Sequence, residues 1–161
     1  MNWEAIGAIG EIVGATGVII SLVYLAVQIR HSTKESELST IHNISESYTA
    51  FMQEVAGNAE LSKIWDTGLT NFSALNRDEV VRFVIIIGMV GRILDDAYLQ
   101  FTSKRIGLEA WRSYENILVM AAKSDGFGEY WTQRRDMHTP EFIALVEKKM
   151  EEFAPGSDIY K

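Results

Sequence analysis

Between residues 6 and 29 the chain reads IGAIGEIVGATGVIISLVYLAVQI. No other stretch limits the possible folds so strongly. An α-helix rises about 1.5 Å per residue, so roughly 20 apolar residues cross the hydrocarbon core of a bilayer. Residues 12–29 alone are long enough, and their polar side chains are Thr16, Ser21, Tyr24 and Gln28. Thr16 and Ser21 can return their hydroxyls to the preceding helical turn. The stretch therefore predicts a transmembrane helix. A secretory signal peptide is the competing reading. It would need a basic n-region and small residues at a cleavage site, whereas Met-Asn-Trp-Glu carries no base and the apolar run ends in Ile29 and Arg30.

Flanking charge predicts orientation. Glu4 and Glu11 lie on the N-terminal side with no base, while Arg30 and Lys34 follow the run, with His31 between them. Basic residues stay in the cytoplasm, so the N-terminus is expected outside and the rest of the chain inside. Trp3 and Tyr24 fall near the two interfaces, where aromatic side chains collect.

Small residues recur along the helix. Gly7, Gly14, Ser21 and Gln28 repeat every seven residues, and Gly10, Gly17 and Tyr24 do so with an offset of three. Alternating steps of three and four draw one narrow stripe, and small residues let membrane helices approach closely. The stripe predicts a seam for self-association or for docking another membrane protein. Glu11 is the one ionisable residue in the run. If the hydrocarbon begins at Ile12, Glu11 lies at headgroup level; if it begins at Ile6, Glu11 is about 8 Å deep. In a symmetric oligomer it could then form a ring of carboxylates, as in cation pathways, with Thr16 and Ser21 as candidate lining residues.

Beyond the run the sequence predicts an all-α protein: an N-terminal transmembrane helix (residues 1–33 with a short outer segment) continuing into a compact cytoplasmic helical bundle (34–154) and a mobile tail (155–161). Hydrophobic residues make up 47% of the 161 residues, enough to build a core, and the two prolines are Pro140 and Pro155. A net charge of −7 and the lack of a basic stripe argue against nucleic acid as a partner. The same charge argues against a body lying flat on anionic lipid. With no cysteine, disulfides, iron–sulfur clusters and cysteine–zinc sites are excluded.

Leu38, Ile41, Ile44, Tyr48, Phe51 and Val55 step by three or four, one apolar helical face. No glycine or proline lies between Val18 and Ala56, so the first helix is expected to continue, with a bend near Ser32-Thr33 the main risk, until Gly57. Asn58 caps a short helix ended by Gly68, with Leu61, Ile64 and Trp65 inward, followed by a loop. Asn76 with Glu79 is a capping-box start for a helix over 77–103. Its uncharged part, residues 83–91 between Arg82 and Arg92, is too short to span and reads as a buried core helix. Arg92 lies three and four residues from Asp95 and Asp96, at local pairing distance. Further helices are predicted over 108–122, 127–135 and 140–153. The last begins with Thr139 as N-cap and Pro140 at the first position. Ser124-Asp125-Gly126 is read as a break, and Pro155-Gly156 as the end of the domain.

Catalytic and metal signals are sparse. His31, His42 and His138 are scattered and no Glu-x-x-His pair exists, so neither a metal nor a cofactor is expected. His42 lies near Ser39, Thr40 and Ser45 on ordinary polar helix surface. The segment 126–142, GFGEYWTQRRDMHTPEF, concentrates aromatics with Arg134, Arg135 and His138. Beside a helix N-terminus these three could hold an anion. Alternatively, Phe127, Tyr130 and Trp131 plug the bundle while the arginines meet its acidic surface.

The start WEAIGAIGEIVG, the following YLAVQIR and the later GFGEYWTQRRDMHTPEF resemble a family of small bacterial proteins of uncharacterised function with one N-terminal span. The resemblance covers most of the chain. It implies one transmembrane helix, a helical cytoplasmic domain and a bacterial inner membrane, and it implies no catalytic residue. Three functions are thus expected in order: a non-enzymatic, oligomerising membrane anchor with a scaffold or partner-binding domain; a homo-oligomeric ion-conducting pore; and a membrane-tethered anion sensor or enzyme.

Overall fold

The absence of helix breakers after Val18 has a direct consequence. In the computed structural model, which describes residues 3–152, the first helix, α1, runs from Trp3 to Gly57. Five further helices follow: α2 (Ala59–Thr70), α3 (Arg77–Thr102), α4 (Leu108–Ala122), α5 (Asp125–Arg134) and α6 (Pro140–Glu152). Single 3₁₀ turns at Phe72–Ala74 and Arg135–Met137 link α2 to α3 and α5 to α6. The described chain is all-helical. Phe153, Pro155-Gly156 and the predicted tail lie outside the described residues.

The chain divides into two units, Met1–Ser39 and Thr40–Lys161, a boundary six residues beyond the expected 33/34. In the first unit every described side chain from Gly7 to Ser36 is exposed. Leu38, expected on the inward face, is 58% exposed. Thr16 and Ser21 donate their hydroxyls to the carbonyls of Ile12 (2.7 Å) and Gly17 (2.9 Å), and Thr33 does the same to Ile29 (2.8 Å). These back-bonds satisfy side chains that would otherwise compete with the helix, and the expected risk point at Ser32-Thr33 stays helical.

The second unit is a bundle around α3, which touches α2, α4, α5 and α6. Ile44, Phe51 and Val55 from α1 are buried with Ile64 of α2 and Phe83, Ile87 and Leu94 of α3. Trp111 and Leu118 of α4, Phe127 of α5 and Phe142 and Val146 of α6 complete the core. The helix starts follow their capping residues. Asn58 Oδ1 accepts from the amides of Glu60 and Leu61. Asn76 Oδ1 accepts from the amides of Asp78 and Glu79, while the Glu79 carboxylate accepts from the Asn76 amide at 2.9 Å. This is a complete capping box. Asn76→Ala is expected to lower bundle stability by about 1 kcal/mol; urea unfolding followed by tryptophan fluorescence measures it, and an unchanged midpoint would count against the cap.

Two predicted breaks turn out to be close contacts. Gly68 lies within α2, which continues to Thr70, and Gly126 lies within α5, which Ser124 starts by accepting from the Phe127 amide. A Cβ on Gly68 would collide with the Phe83 ring, and one on Gly126 with the Gly68 carbonyl and the same ring. The glycines let α2 and α5 close on Phe83, which has no exposed surface. The turn after α3 closes without a glycine. Lys104, rather than a glycine, adopts a left-handed backbone (φ 58°). The Lys104 amide donates to Phe101 O at 2.9 Å and the Arg105 amide to Gln100 O at 2.8 Å, the paired bonds of a Schellman motif.

Candidate functional site

Helix α3 carries glycines at 88 and 91, three residues apart and so on one face. A Cβ at Gly88 would lie 3.2 Å from Tyr130 Cε2, and one at Gly91 would lie 3.0 Å from His138 Cε1. The two glycines make a trough that these rings fill. His138 is brought there by the 3₁₀ turn Arg135–Met137 and by its own extended backbone. Arg92, one turn along α3, donates from Nη1 to the Met137 carbonyl at 2.9 Å and holds the turn against the helix.

Inside the trough three titratable side chains form one hydrogen-bonded chain. Asp95 Oδ2 lies 3.2 Å from His138 Nδ1, and His138 Nε2 lies 2.9 Å from the Tyr130 hydroxyl. The carboxylate also accepts from the Thr139 amide (3.0 Å) and from Thr139 Oγ1 (2.6 Å). An ionised carboxylate only accepts, so these partners assign the imidazole proton to Nδ1 and leave Nε2 to accept from the Tyr130 O–H. Trp131 stacks on the imidazole with centroids 5.2 Å apart, and Phe142 closes another side at 5.4 Å. The His138 side chain is 0% exposed and that of Asp95 5%.

Burial favours the neutral imidazole. Burial lowers the His138 pKa from its ordinary 6.5, against the opposing hydrogen bond and charge of Asp95, and Arg92 lowers it further. Burial also raises the Tyr130 phenol, with Asp95 acting in the same direction and Arg92 and Arg134 in the other. Carboxylate, imidazole and hydroxyl are connected as in a nucleophilic triad, but the chemistry differs. The phenol is harder to ionise than in water, and Tyr130 is 3% exposed, so no substrate atom can reach it in this state. What the arrangement does is fasten the α5–α6 connection to α3 and hold one proton at Nδ1.

Of the candidate site residues singled out in the sequence, His138 lies in this hydrogen-bonded chain and the others fall elsewhere. Gly7, Gly10, Gly14 and Gly17 lie along α1, where an added Cβ at each meets nothing within 4 Å. Ser21, Thr16 and Glu11 lie on the same exposed helix, and Gln28 Nε2 donates to the Tyr24 hydroxyl at 3.3 Å. Of the three candidate anion ligands, His138 is enclosed against Asp95, whereas Arg134 and Arg135 are exposed. Arg135 Nη1 pairs with Glu147 at 2.8 Å, so an anion there would have to displace a carboxylate. Phe127, Tyr130 and Trp131 are buried in the bundle. The local Arg92–aspartate pairing gives way to two separate contacts: Arg92 donates to the Met137 carbonyl on the exposed side, while Asp95 turns inward to His138 and Thr139, where solvent competes less. Asp96 Oδ1 instead accepts from Gln100 at 3.2 Å.

Among the described residues no three histidine or acidic side chains converge as a metal site requires. Two open surface depressions, one lined by Phe72 and Met150 with Asp125 and Glu129, the other by Asn43 and Arg92, include none of Asp95, His138 and Tyr130. The Asp95–His138–Tyr130 chain was not foreseen; interior glycines at 88 and 91 of a helical pattern were the signal that could have pointed to it. No family model, curated protein or solved structure matches the chain.

Proposed function

We propose that the protein is a single-span membrane anchor that self-associates through the Gly7–Gly10–Gly14–Gly17–Ser21 seam and presents residues 40–152 as a partner-binding helical domain. One observation carries the reading. The helix is long and apolar enough to cross a membrane, and none of its apolar window is buried within the protein. Ile12, Val13, Ile19, Ile20, Leu22 and Val23 each remain 60–66% exposed. Burying a side chain of this kind contributes about 1.5–3 kcal/mol, so moving such a row from water into lipid gains on the order of 10 kcal/mol. Hydroxyls already bonded within α1 require no polar partner and no aqueous lumen, so Thr16 and Ser21 favour the anchor over the pore.

Open space beside each seam glycine supports close approach by a second helix. A copy of the same chain is the simplest partner, because one stripe then serves both sides. Arg30 and Lys34 favour a cytoplasmic second unit. On that unit Val81, Ile85 and Met89 form an exposed row on α3, 55%, 59% and 50% accessible. Rows of this kind mark protein–protein contacts, which supports the partner-binding role.

Stoichiometry in detergent tests the proposal. The full chain is expected to require an amphiphile to stay monodisperse, and Gly10→Leu with Gly14→Leu is expected to shift it to a lower oligomer or a monomer. A monodisperse protein in plain buffer overturns the anchor. Unchanged stoichiometry in the double variant overturns the seam while leaving the anchor standing.

A further inference from the structure

We propose that the Asp95–His138–Tyr130 chain is an acid-operated latch: a second proton on His138 turns Nε2 from acceptor to donor, strips the Tyr130 hydroxyl of its acceptor and releases the α5–α6 connection from α3. The geometry supports each step. Nδ1 is committed to Asp95 and Nε2 to Tyr130, so an incoming proton can go only to Nε2. The Nε2–H and the phenol O–H then point at each other across a distance of 2.9 Å. To relieve this the phenol must turn its proton elsewhere, and Gly88 and Gly91, whose Cβ positions would lie 3.4 Å and 3.6 Å from that oxygen, offer no side-chain acceptor.

All the charged groups around the ring bear on the balance. Asp95 of α3 favours the imidazolium. Arg92 of α3 opposes it, as does burial among Trp131, Tyr130 and Phe142. Arg134 of α5 acts on Tyr130, the other end of the chain. Thr139, at the start of α6, contributes two uncharged donors to Asp95. Burial outweighs the aspartate, so the folded state binds the second proton less readily than an unfolded chain. Stability from this group is therefore complete above the ordinary value of 6.5. It declines as pH falls below that value and is lost once the lowered folded-state pKa is passed. The connection is the natural place to open. It is a single 3₁₀ turn whose Met137 side chain is 61% exposed, tied to α3 by the Arg92–Met137 bond and the Asp95 cluster.

Hydrogen exchange on the full chain in a mild detergent, compared at about pH 7 and about pH 4.5 with the intrinsic pH effect removed, tests the latch. Residues 135–142 are expected to lose protection by about tenfold or more, while the core of α3 around Phe83 and Ile87 keeps its own. His138→Gln, which takes no proton, is expected to abolish the acid step. Tyr130→Phe is expected to shrink it and move it to higher pH, because no phenol proton is then displaced. A His31→Gln/His42→Gln variant leaves one histidine, so its ring resonance and the exchange protection of residues 135–142 must change with the same midpoint. An acid response of equal size in His138→Gln, or separate midpoints in the single-histidine protein, overturns the latch. So does protection of 135–142 that is unchanged while the His138 ring titrates.

Discussion

Gly126→Ala is expected to destabilise the bundle by about 3 kcal/mol or more and to lower its melting temperature by roughly 10 °C. The added methyl would meet the Gly68 carbonyl and the Phe83 ring together. Overpacking is often relieved by rotating a side chain. Here one obstacle is backbone and the other is a ring with no exposed surface, so α5 must move away from α2. Gly128→Ala, two residues along the same helix, is the internal comparison. Its Cβ approaches only the Met150 methyl, at 4.0 Å. Removing a glycine from a helix interior should there stabilise by about 0.5–1 kcal/mol. Thermal unfolding followed by tryptophan fluorescence distinguishes the two, and similar effects for both would refute the contact. Gly68→Ala should resemble Gly126→Ala, and the double variant should cost less than the sum, because both clash with Phe83.

Asp95→Ala is expected to cost about 3–5 kcal/mol at neutral pH. It removes the acceptor of three donors at once: His138 Nδ1–H, the Thr139 amide and the Thr139 hydroxyl. The imidazole has no exposed surface, so its N–H is left buried without that partner, and the desolvation dominates the loss. Asp95→Asn keeps one carbonyl oxygen and should lose roughly half as much, with its amide group facing the imidazole N–H. Urea unfolding gives both values. A loss under about 1 kcal/mol for Asp95→Ala would show that the carboxylate is not what holds Thr139 and His138 in place.

Much of the helical layout was legible. Asn58 and Asn76 announced their helices because a cap is local chemistry, a side-chain oxygen meeting an amide two or three residues away. The span of α4, 108–122, was legible, and Trp111, Tyr114, Leu118 and Ala121 are buried along it at helical spacing. Long-range partners were not legible. Arg92 and Asp95 are neighbours in sequence, and local pairing looked sufficient; in the fold Asp95 turns inward to a residue 43 positions away. Gly68 and Gly126 looked like breaks because glycine disfavours helices. Their role depends on Phe83, which no local window contains.

What the sequence determined by itself is whatever depends on the period of hydrophobicity and on neighbours within one turn. That includes an all-helical chain, its capped starts, and a long apolar first helix, whose apolar window the rest of the chain leaves unburied. Tertiary structure alone decided which polar groups are enclosed together. Hydrogen-bond strength and proton affinity depend on exclusion of water. Exclusion is set by the close approach of α3 to the α5–α6 connection, where Gly88 and Gly91 leave room for the Tyr130 and His138 rings.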